Sequence, residues 1–277
     1  MAFNKFPSVK FKGSEKCHVG WSAIHTELSL KVNSKDLRLI VIECYHGVLQ
    51  QDILKFITEY FPDSQSIISD SAFLTEPEIR ELTFPNITDD RVFGFMTNLN
   101  LIDLFDQNKI LQIKNQIDDK TGLVFIIGIG ASLLVPNPDL LIYADLARWE
   151  LQLRMRRKEI NNIGLQNQNE PFESQYKRGY FLDWRLCDQL KKDLIPKADF
   201  VLDTNKIDNP KLISGATFLE ALRQTVQQPF SLVPFFDPGP WGGQWMKQKF
   251  DLDPSAPNYA WCFNCVPEEN SLLIDFD

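Results

Sequence analysis

The sequence predicts an α/β protein built on a mostly parallel, doubly wound sheet. Short apolar runs such as 37–43 (LRLIVIE) and 122–127 (GLVFII) are typical of strands that helices cover on both faces. Stretches of helical length with one apolar face separate these runs. Strands that alternate with helices predict βαβ units, and therefore a sheet whose strands mostly run parallel.

The elements follow one another along most of the chain. Apolar runs predict strands over 37–43, 66–69, 91–96 (RVFGFM), 122–127, 139–144 and 198–202, and a further strand over 271–276. Helical spacing of apolar residues predicts helices over 17–32, 49–60, 101–117, 146–160 and 173–193.

Composition and charge exclude several classes of protein. The chain has 277 residues, of which 44% are hydrophobic, and a net charge of −8. An acidic chain is not expected to bind nucleic acid nonspecifically, although it can hold a local basic pocket. We expect no membrane span, because no apolar run approaches bilayer length, and the start of the chain lacks the apolar segment of a signal peptide. Five cysteines, an odd number, then indicate reduced thiols and a cytoplasmic location.

The ends of the predicted strands hold the candidate catalytic residues. Ligands of parallel α/β sheets bind outside the carboxyl ends of the strands, which selects the segments 43–47, 97–98, 128–132, 145–148 and 203–205. Glu43, His46 and Asp145 are the candidates there for acid, base or magnesium-binding roles. The turns add four candidate ligand-binding residues, Gly47, Gly128, Gly130 and Ser132.

The loop after Glu43 lacks the G-x-x-x-x-G-K-[ST] pattern of a nucleotide-binding loop. It contains one glycine and no lysine or hydroxyl residue at the required spacing. Either the loop binds no nucleotide phosphate and is a plain connection, or it binds phosphate unconventionally.

The predicted helix over 146–160 is rich in arginine. Leu146, Trp149, Leu153 and Ile160 share one helical face, and Arg157 falls on that face too. Because guanidinium groups bind phosphate oxygens through paired hydrogen bonds, this helix supplies four candidate phosphate ligands, Arg148, Arg154, Arg156 and Arg157. The alternatives are that Arg157 bridges a buried carboxylate, or that the helix kinks before it.

A strand, a glycine turn, a second strand ending at Asp145 and an arginine-rich helix resemble the phosphoribulokinase and uridine kinase branch of P-loop kinases. The resemblance covers roughly residues 37–205. It implies a lid whose arginines hold the transferred phosphate. The phosphate loop departs from the family pattern, because it lacks the lysine and the serine or threonine that position phosphates and metal in such catalysis.

The composition changes near residue 229, which suggests a domain over 1–228 and a proline-rich, aromatic segment over 229–277. The motifs Pro234-Phe-Phe, Trp241-Gly-Gly and Tyr259-Ala-Trp resemble the start of cupin-type class I mannose-6-phosphate isomerases. Over a longer part of its length the chain resembles bacterial isomerase-like proteins that have a kinase-like N-terminal half. The segments that carry this resemblance are 145–150, 176–178, 201–205 and 236–245.

The isomerase family binds zinc through barrel residues that include histidine, and this chain has no histidine after His46. The resemblance therefore transfers no metal ligand, and we expect no cofactor. Zinc is expected only where a complete cupin domain is present, as a partner in cis or in trans. The Cys262–Cys265 pair lacks the second pair that a zinc site requires.

Three functions follow from these patterns. The leading one is a kinase-like domain of an isomerase-like protein that binds a phosphorylated sugar or nucleotide, without zinc isomerase activity of its own. The second is an active small-molecule kinase with an unconventional phosphate loop, and the third a non-enzymatic module that docks to a cupin domain. The sequence leaves open whether the chain is an enzyme.

Overall fold

A computed structural model describes residues 8–11, 15–35, 37–227, 232–236, 248–249, 251, 259–263 and 273–276. The chain forms two compact units, one made of residues 13–220 and the other of residues 1–12 with 221–277. The predicted division between residues 228 and 229 stays a prediction.

The strands are β1 (Ser8–Phe11), β2 (His18–Val19), β3 (Leu39–Cys44), β4 (Gln65–Ile68), β5 (Val124–Gly128), β6 (Leu140–Asp145), β7 (Phe200–Asp203), β8 (Lys211–Ser214), β9 (Leu232–Phe236), β10 (Tyr259–Phe263) and β11 (Leu273–Phe276). The α-helices are α1 (Trp21–Lys35), α2 (Gln50–Tyr60), α3 (Glu76–Ile87), α4 (Gln107–Asp118), α5 (Ala131–Leu134), α6 (Arg148–Arg156), α7 (Phe172–Arg178), α8 (Trp184–Leu194) and α9 (Gly215–Val226).

The larger unit contains a seven-stranded sheet in the order β2-β8-β7-β6-β3-β5-β4. The five strands from β7 to β4 run parallel to their neighbours, whereas β8 and β2 are antiparallel additions at one edge. Ile42 of β3 lies opposite Ile127 of β5 and Ile142 of β6. The prediction of a mixed α/β fold with a mostly parallel sheet is therefore confirmed, and the carboxyl ends of β3, β5, β6 and β7 meet at one edge.

The three central strands are apolar along almost their whole length, and their residues are buried. Helices contribute the other side of this core through apolar stripes, such as Ile53, Phe56 and Ile57 of α2 and Ile110, Ile113 and Ile117 of α4. The continuous apolar runs in the sequence reflect burial of both faces of these strands.

The segment 91–96 is not a strand, so that prediction is wrong. The Oδ1 atom of Asp90 accepts the backbone N–H groups of Val92 and Phe93, which folds the segment into a turn. Thr97 and Asn98 consequently do not follow a strand. The structure adds α3, which precedes this turn and holds Pro85 within its last turn.

The helical region after residue 171 is continuous, as the sequence predicts. Between α7 and α8 it contains one π-helical turn, Gly179–Asp183. The helix predicted over 101–117 begins later, because Leu101–Leu104 form a 3₁₀ turn and Asp106 caps α4 by accepting the N–H groups of Asn108 and Lys109.

In the smaller unit, β1 pairs in parallel with β11 and β9 pairs antiparallel with β10. The strand predicted over 271–276 is confirmed as β11. The Trp241-Gly-Gly motif and Cys265 lie outside the described residues, as does most of the segment 236–245.

Candidate functional site

The glycine turn after β5 binds a carboxylate of the protein itself. The backbone N–H of Gly130 donates to Oε1 of Glu43 over 2.6 Å, and that of Ser132 donates to Oε2 over 2.8 Å. Glu43 lies opposite Gly128 in the parallel pair of β3 and β5, which places its side chain beside the turn. The turn that we expected to hold a ligand phosphate therefore already holds an anion.

The glycines near this edge are required by close packing and backbone conformation. At Gly128, whose φ is 130°, a Cβ atom would lie 2.3 Å from Oγ of Ser69. Gly130 has a φ of 76°, and a Cβ there would lie 2.6 Å from an aromatic ring. At Gly47, whose φ is 96°, a Cβ atom would lie 2.9 Å from Cγ of Leu151. These contacts explain the glycines without a bound phosphate.

Burial raises the pKa of Glu43 to about 7. The hydrogen bonds from Gly130 and Ser132 favour the ionised form and limit the rise. The carboxyl group therefore changes charge near neutral pH, at a place that is closed to solvent.

His46 is also buried, and its position does not suit proton exchange with a ligand from solvent. Its Nε2 atom lies 2.9 Å from the carbonyl oxygen of Asn161. Because a carbonyl only accepts, Nε2 carries the proton. Burial lowers the pKa of His46, so the neutral form is favoured. Within the described residues its Nδ1 atom has no hydrogen-bond partner.

An open pocket lies at the carboxyl edge of the sheet, beside the ends of β3 and β7. It is lined by Trp21, Leu49, Asp52, Ile53, Arg154, Thr204, Lys206, Ile207 and Pro210. Leu49 precedes α2 directly, Asp52 lies in the first turn of that helix, and Thr204 follows β7. This is the edge at which parallel α/β sheets bind ligands.

Arg154 is one of three charged residues that line this pocket, together with Asp52 and Lys206. Its side chain is fully buried, with 0% exposure. Nη1 donates to the carbonyl of Gly47 over 2.8 Å, Nη2 to the carbonyl of Thr204 over 2.6 Å, and Nε to Glu150 over 3.2 Å. The guanidinium group therefore joins the loop after β3 to the loop after β7.

The sequence-based assignment of the buried face of α6 is wrong. The buried residues of this helix are Leu151, Arg154 and Met155. The helix ends at Arg156, and the side chain of Arg157 is 44% exposed, with ion pairs to Glu150 and Glu159 at 2.7 Å each. Hydrogen bonds from its guanidinium to these two carboxylates raise the pKa of Arg157. Arg157 therefore does not bridge a buried carboxylate, because the side chains of Glu150 and Glu159 are 21% and 35% exposed. It lies just past the end of α6 and pairs with these two carboxylates at the surface.

Arg148 belongs to a separate polar cluster. Its Nη2 atom donates to Oη of Tyr45 over 2.6 Å and lies 3.3 Å from Oδ1 of Asp188, and the guanidinium group lies 4.2 Å from the ring centroid of Trp184. The Tyr45 hydroxyl donates to the same Asp188 oxygen over 2.6 Å. Burial raises the pKa of Tyr45, so the phenol stays protonated. The charge of Arg148 is thus already paired.

The two remaining candidates also have partners. Lys191 donates a hydrogen bond to Oδ2 of Asp145, which forms an ion pair with it. Arg156 is exposed, and its guanidinium group lies 4.4 Å from the ring centroid of Phe172. Of the four candidate arginines, Arg154 is the one that lines the pocket.

Sequence reasoning did not select Trp21, Asp52 or Lys206, which line the same pocket. Lys206 follows the strand-end segment 203–205 directly, so a wider window there would have included it. Trp21 is distant in sequence, and the hydrogen bond from the N–H of Gly20 to the carbonyl of Pro210 (2.8 Å) joins its neighbourhood to this loop. No local pattern could have revealed that contact.

Two further observations concern metals and membranes. Among the described residues there is no group of three or more histidine, cysteine, aspartate or glutamate side chains placed to hold a metal ion. In the same part of the chain every helix is too short or too polar to cross a membrane.

The comparison with known proteins identifies a family without an assigned activity. No curated protein sequence matches the chain. The family model described as a domain of unknown function, DUF8485, matches residues 20–227, which include the whole seven-stranded sheet except its short edge strand β2. The match spans about three quarters of the sequence, and the chain therefore belongs to the DUF8485 family.

Proposed function

We propose that this protein binds a small phosphorylated ligand, a sugar phosphate or a nucleotide, in the pocket beside the ends of β3 and β7. The observation that carries the proposal is the pair of cationic residues that line this pocket, buried Arg154 and exposed Lys206. The hydrogen bonds of Arg154 to the carbonyl groups of Gly47 and Thr204 hold the two loops that frame the pocket, and the ammonium group of Lys206 is the cation that a phosphate would meet there. The pocket also includes the first turn of α2, where backbone N–H groups favour an anion.

Asp52 favours a ligand that carries hydroxyl groups as well as a phosphate. It lines the same pocket as Arg154 and Lys206. A carboxylate accepts hydrogen bonds from sugar hydroxyls and repels a bare phosphate. A pocket with two cations and one carboxylate therefore suits a phosphorylated sugar better than inorganic phosphate.

The parallel core β7-β6-β3-β5-β4 is in keeping with the relation to the P-loop kinases that the sequence resembles, and that relation stays a prediction. Phosphoryl transfer has less support than binding. Between β3 and α2 the chain supplies Tyr45, His46, Gly47, Val48 and Leu49, with neither lysine nor a serine or threonine hydroxyl. Catalysis of phosphoryl transfer consists mainly of holding phosphates and metal in place. The relation to isomerase-like proteins, with zinc supplied by a complete cupin domain, stays a prediction.

Isothermal titration of the full chain tests the proposal with inorganic phosphate, a hexose 6-phosphate, AMP and ATP as probes. We expect the hexose phosphate or a nucleotide to bind, and Lys206→Ala to weaken that binding about tenfold, the loss of one charge-assisted hydrogen bond. Lys192→Ala, which removes an exposed lysine of α8 outside the pocket, is the matched control. Asp52→Asn should weaken binding of the hexose phosphate and not that of inorganic phosphate.

Absence of binding by all four probes would refute the proposal. Equal loss in Lys206→Ala and Lys192→Ala would place the ligand elsewhere. Turnover of labelled ATP with sugars or nucleosides would instead favour an active kinase.

A further inference from the structure

An exposed apolar surface lies on the end of α3 and on the loop that follows it. We call it the aromatic patch and define it as Phe84, Val92, Phe93, Phe95 and Met96. These residues are 57%, 61%, 71%, 68% and 45% exposed, respectively. Single exposed apolar residues are common on protein surfaces, whereas five such residues in one short part of the chain, four of them within residues 92–96, indicate a site of interaction.

Backbone hydrogen bonds hold this loop in one conformation. Asp90 accepts the N–H groups of Val92 and Phe93 over 2.7 and 2.6 Å. The N–H of Phe95 donates to the carbonyl of Asn86, in the last turn of α3, over 2.8 Å. The side-chain amide of Asn86 returns a hydrogen bond to the carbonyl of Phe95 over 3.3 Å. The phenylalanines are therefore exposed on a fixed loop.

Further contacts tie the loop to the turn between α7 and α8. The N–H of Thr97 donates to the carbonyl of Phe181 over 3.0 Å, and Lys177 donates a hydrogen bond to the carbonyl of Asp90. At Gly94, between the two phenylalanines, a Cβ atom would lie 2.5 Å from the carbonyl oxygen of Asn86. Only glycine fits this close approach, and the loop is thus built to keep its backbone against the domain.

We propose that the aromatic patch is the interface of a symmetric homodimer. With about 150–250 Å² for each aromatic side chain, the exposed fractions amount to roughly 500 Å² of patch area for each copy. When two such patches meet, the interface buries roughly 1,000 Å² in total, which reaches the lower limit of specific protein interfaces. The dimer is accordingly weak and depends on concentration.

The charges beside the patch favour a second copy as the occupant. Asp89 and Arg91 are exposed and flank the turn, so the surface carries both signs. In a two-fold arrangement the same surface meets itself, and each arginine can approach the aspartate of the other copy. An anionic lipid surface is a poorer match, because Asp89 and Asp90 adjoin the patch and the whole chain has a net charge of −8.

Sedimentation velocity of the full chain over about 1–500 µM tests this proposal, since weak dimers dissociate in that range. We expect the weight-average mass to rise from 32.0 kDa toward twice that value. Phe93→Asp should raise the dissociation constant of the dimer at least about tenfold, because a charge replaces an interface aromatic. Leu111→Asp is the matched control, since Leu111 is 59% exposed on α4, outside the patch. Thermal unfolding checks that both variants remain folded.

A mass of one chain at every concentration would overturn the proposal, as would equal weakening by Phe93→Asp and Leu111→Asp. Neutral phosphatidylcholine vesicles provide the second arm. If the protein stays monomeric and sediments with vesicles, and Phe93→Asp abolishes that sedimentation, the patch binds lipid and the dimer is refuted.

Discussion

Replacement of Glu43 by glutamine should remove a pH dependence from the stability of the fold. Burial raises the pKa of this carboxyl group from 4.5 to about 7. A raised pKa means that the folded state prefers the protonated form. The contribution of Glu43 is therefore fully favourable below about pH 4.5 and is lost as the pH rises through about 7. The shift of about 2.5 units corresponds to about 3 kcal/mol in the free energy of unfolding.

Urea unfolding at pH 5, 6, 7 and 8 measures the effect in the wild type and in Glu43→Gln. The glutamine side chain has one oxygen, which accepts from one of the N–H groups of Gly130 and Ser132, and its NH₂ group faces the other N–H group. The free energy of unfolding of the variant is therefore lowered by an amount that does not depend on pH. The informative quantity is thus the slope against pH, which should flatten in the variant between pH 5 and 7.

His46 acts in the opposite direction, because its pKa is lowered by burial and its contribution is lost as the pH falls below about 6.5. His46 is present in both proteins, so its contribution cancels in the difference between their free energies of unfolding. Glu81→Gln, at an exposed position of α3, is the control and should keep the slope of the wild type. A difference between wild type and Glu43→Gln that is the same at all four pH values would refute the reasoning.

Three further substitutions separate structural from functional roles. Gly128→Ala should cost at least about 2 kcal/mol in urea unfolding, because the new methyl group meets Oγ of Ser69 at 2.3 Å in a backbone conformation with a φ of 130°; a neutral result would contradict the packing account of this glycine. Asp183→Asn should cost about 3–5 kcal/mol, because it leaves the buried guanidinium group of Arg178, now 3.4 Å from Asp183, without a counter-charge; a loss below about 1 kcal/mol would mean that the buried pair is not needed. Arg157→Ala should change stability by less than about 1 kcal/mol, since its ion pairs are exposed, and should leave the affinity for a hexose phosphate unchanged in calorimetry; a tenfold loss of affinity would restore Arg157 as a ligand-binding residue.

The sequence predicted the parallel core well, because its central strands are buried on both faces and are therefore apolar along almost their whole length. The two antiparallel strands at the β2 edge of the sheet were not predicted, whereas β4 at the other edge was. His18–Val19 and Lys211–Ser214 are short and partly polar, and they become strands only by pairing with each other and with β7. The segment 91–96 has the composition of a strand, but the carboxylate of Asp90 binds two of its amides and turns it toward solvent. Composition alone does not distinguish apolar residues that face a core from apolar residues that face solvent.

The glycine turn of the candidate site also shows what sequence alone does not distinguish. A turn that presents amide groups to a phosphate presents the same groups to a carboxylate, so its sequence predicts an anion and not which anion. Here the anion is Glu43, which precedes Gly130 by 87 residues and reaches it through the pairing of β3 and β5. That pairing is a tertiary contact, and no local pattern contains it.

The position of the buried arginine depends on where α6 begins and ends. A helix extended from Leu146 to Ile160 would place Arg157 on the apolar face, whereas the observed helix, Arg148–Arg156, buries Arg154 and leaves Arg157 at its end. The difference matters for the structure of the pocket, because Arg154 bonds the carbonyl groups of both Gly47 and Thr204. Its buried guanidinium group therefore holds the loop after β3 against the loop after β7 at the carboxyl edge of the sheet. Arg157 is exposed, and its guanidinium group pairs with Glu150 and Glu159 instead.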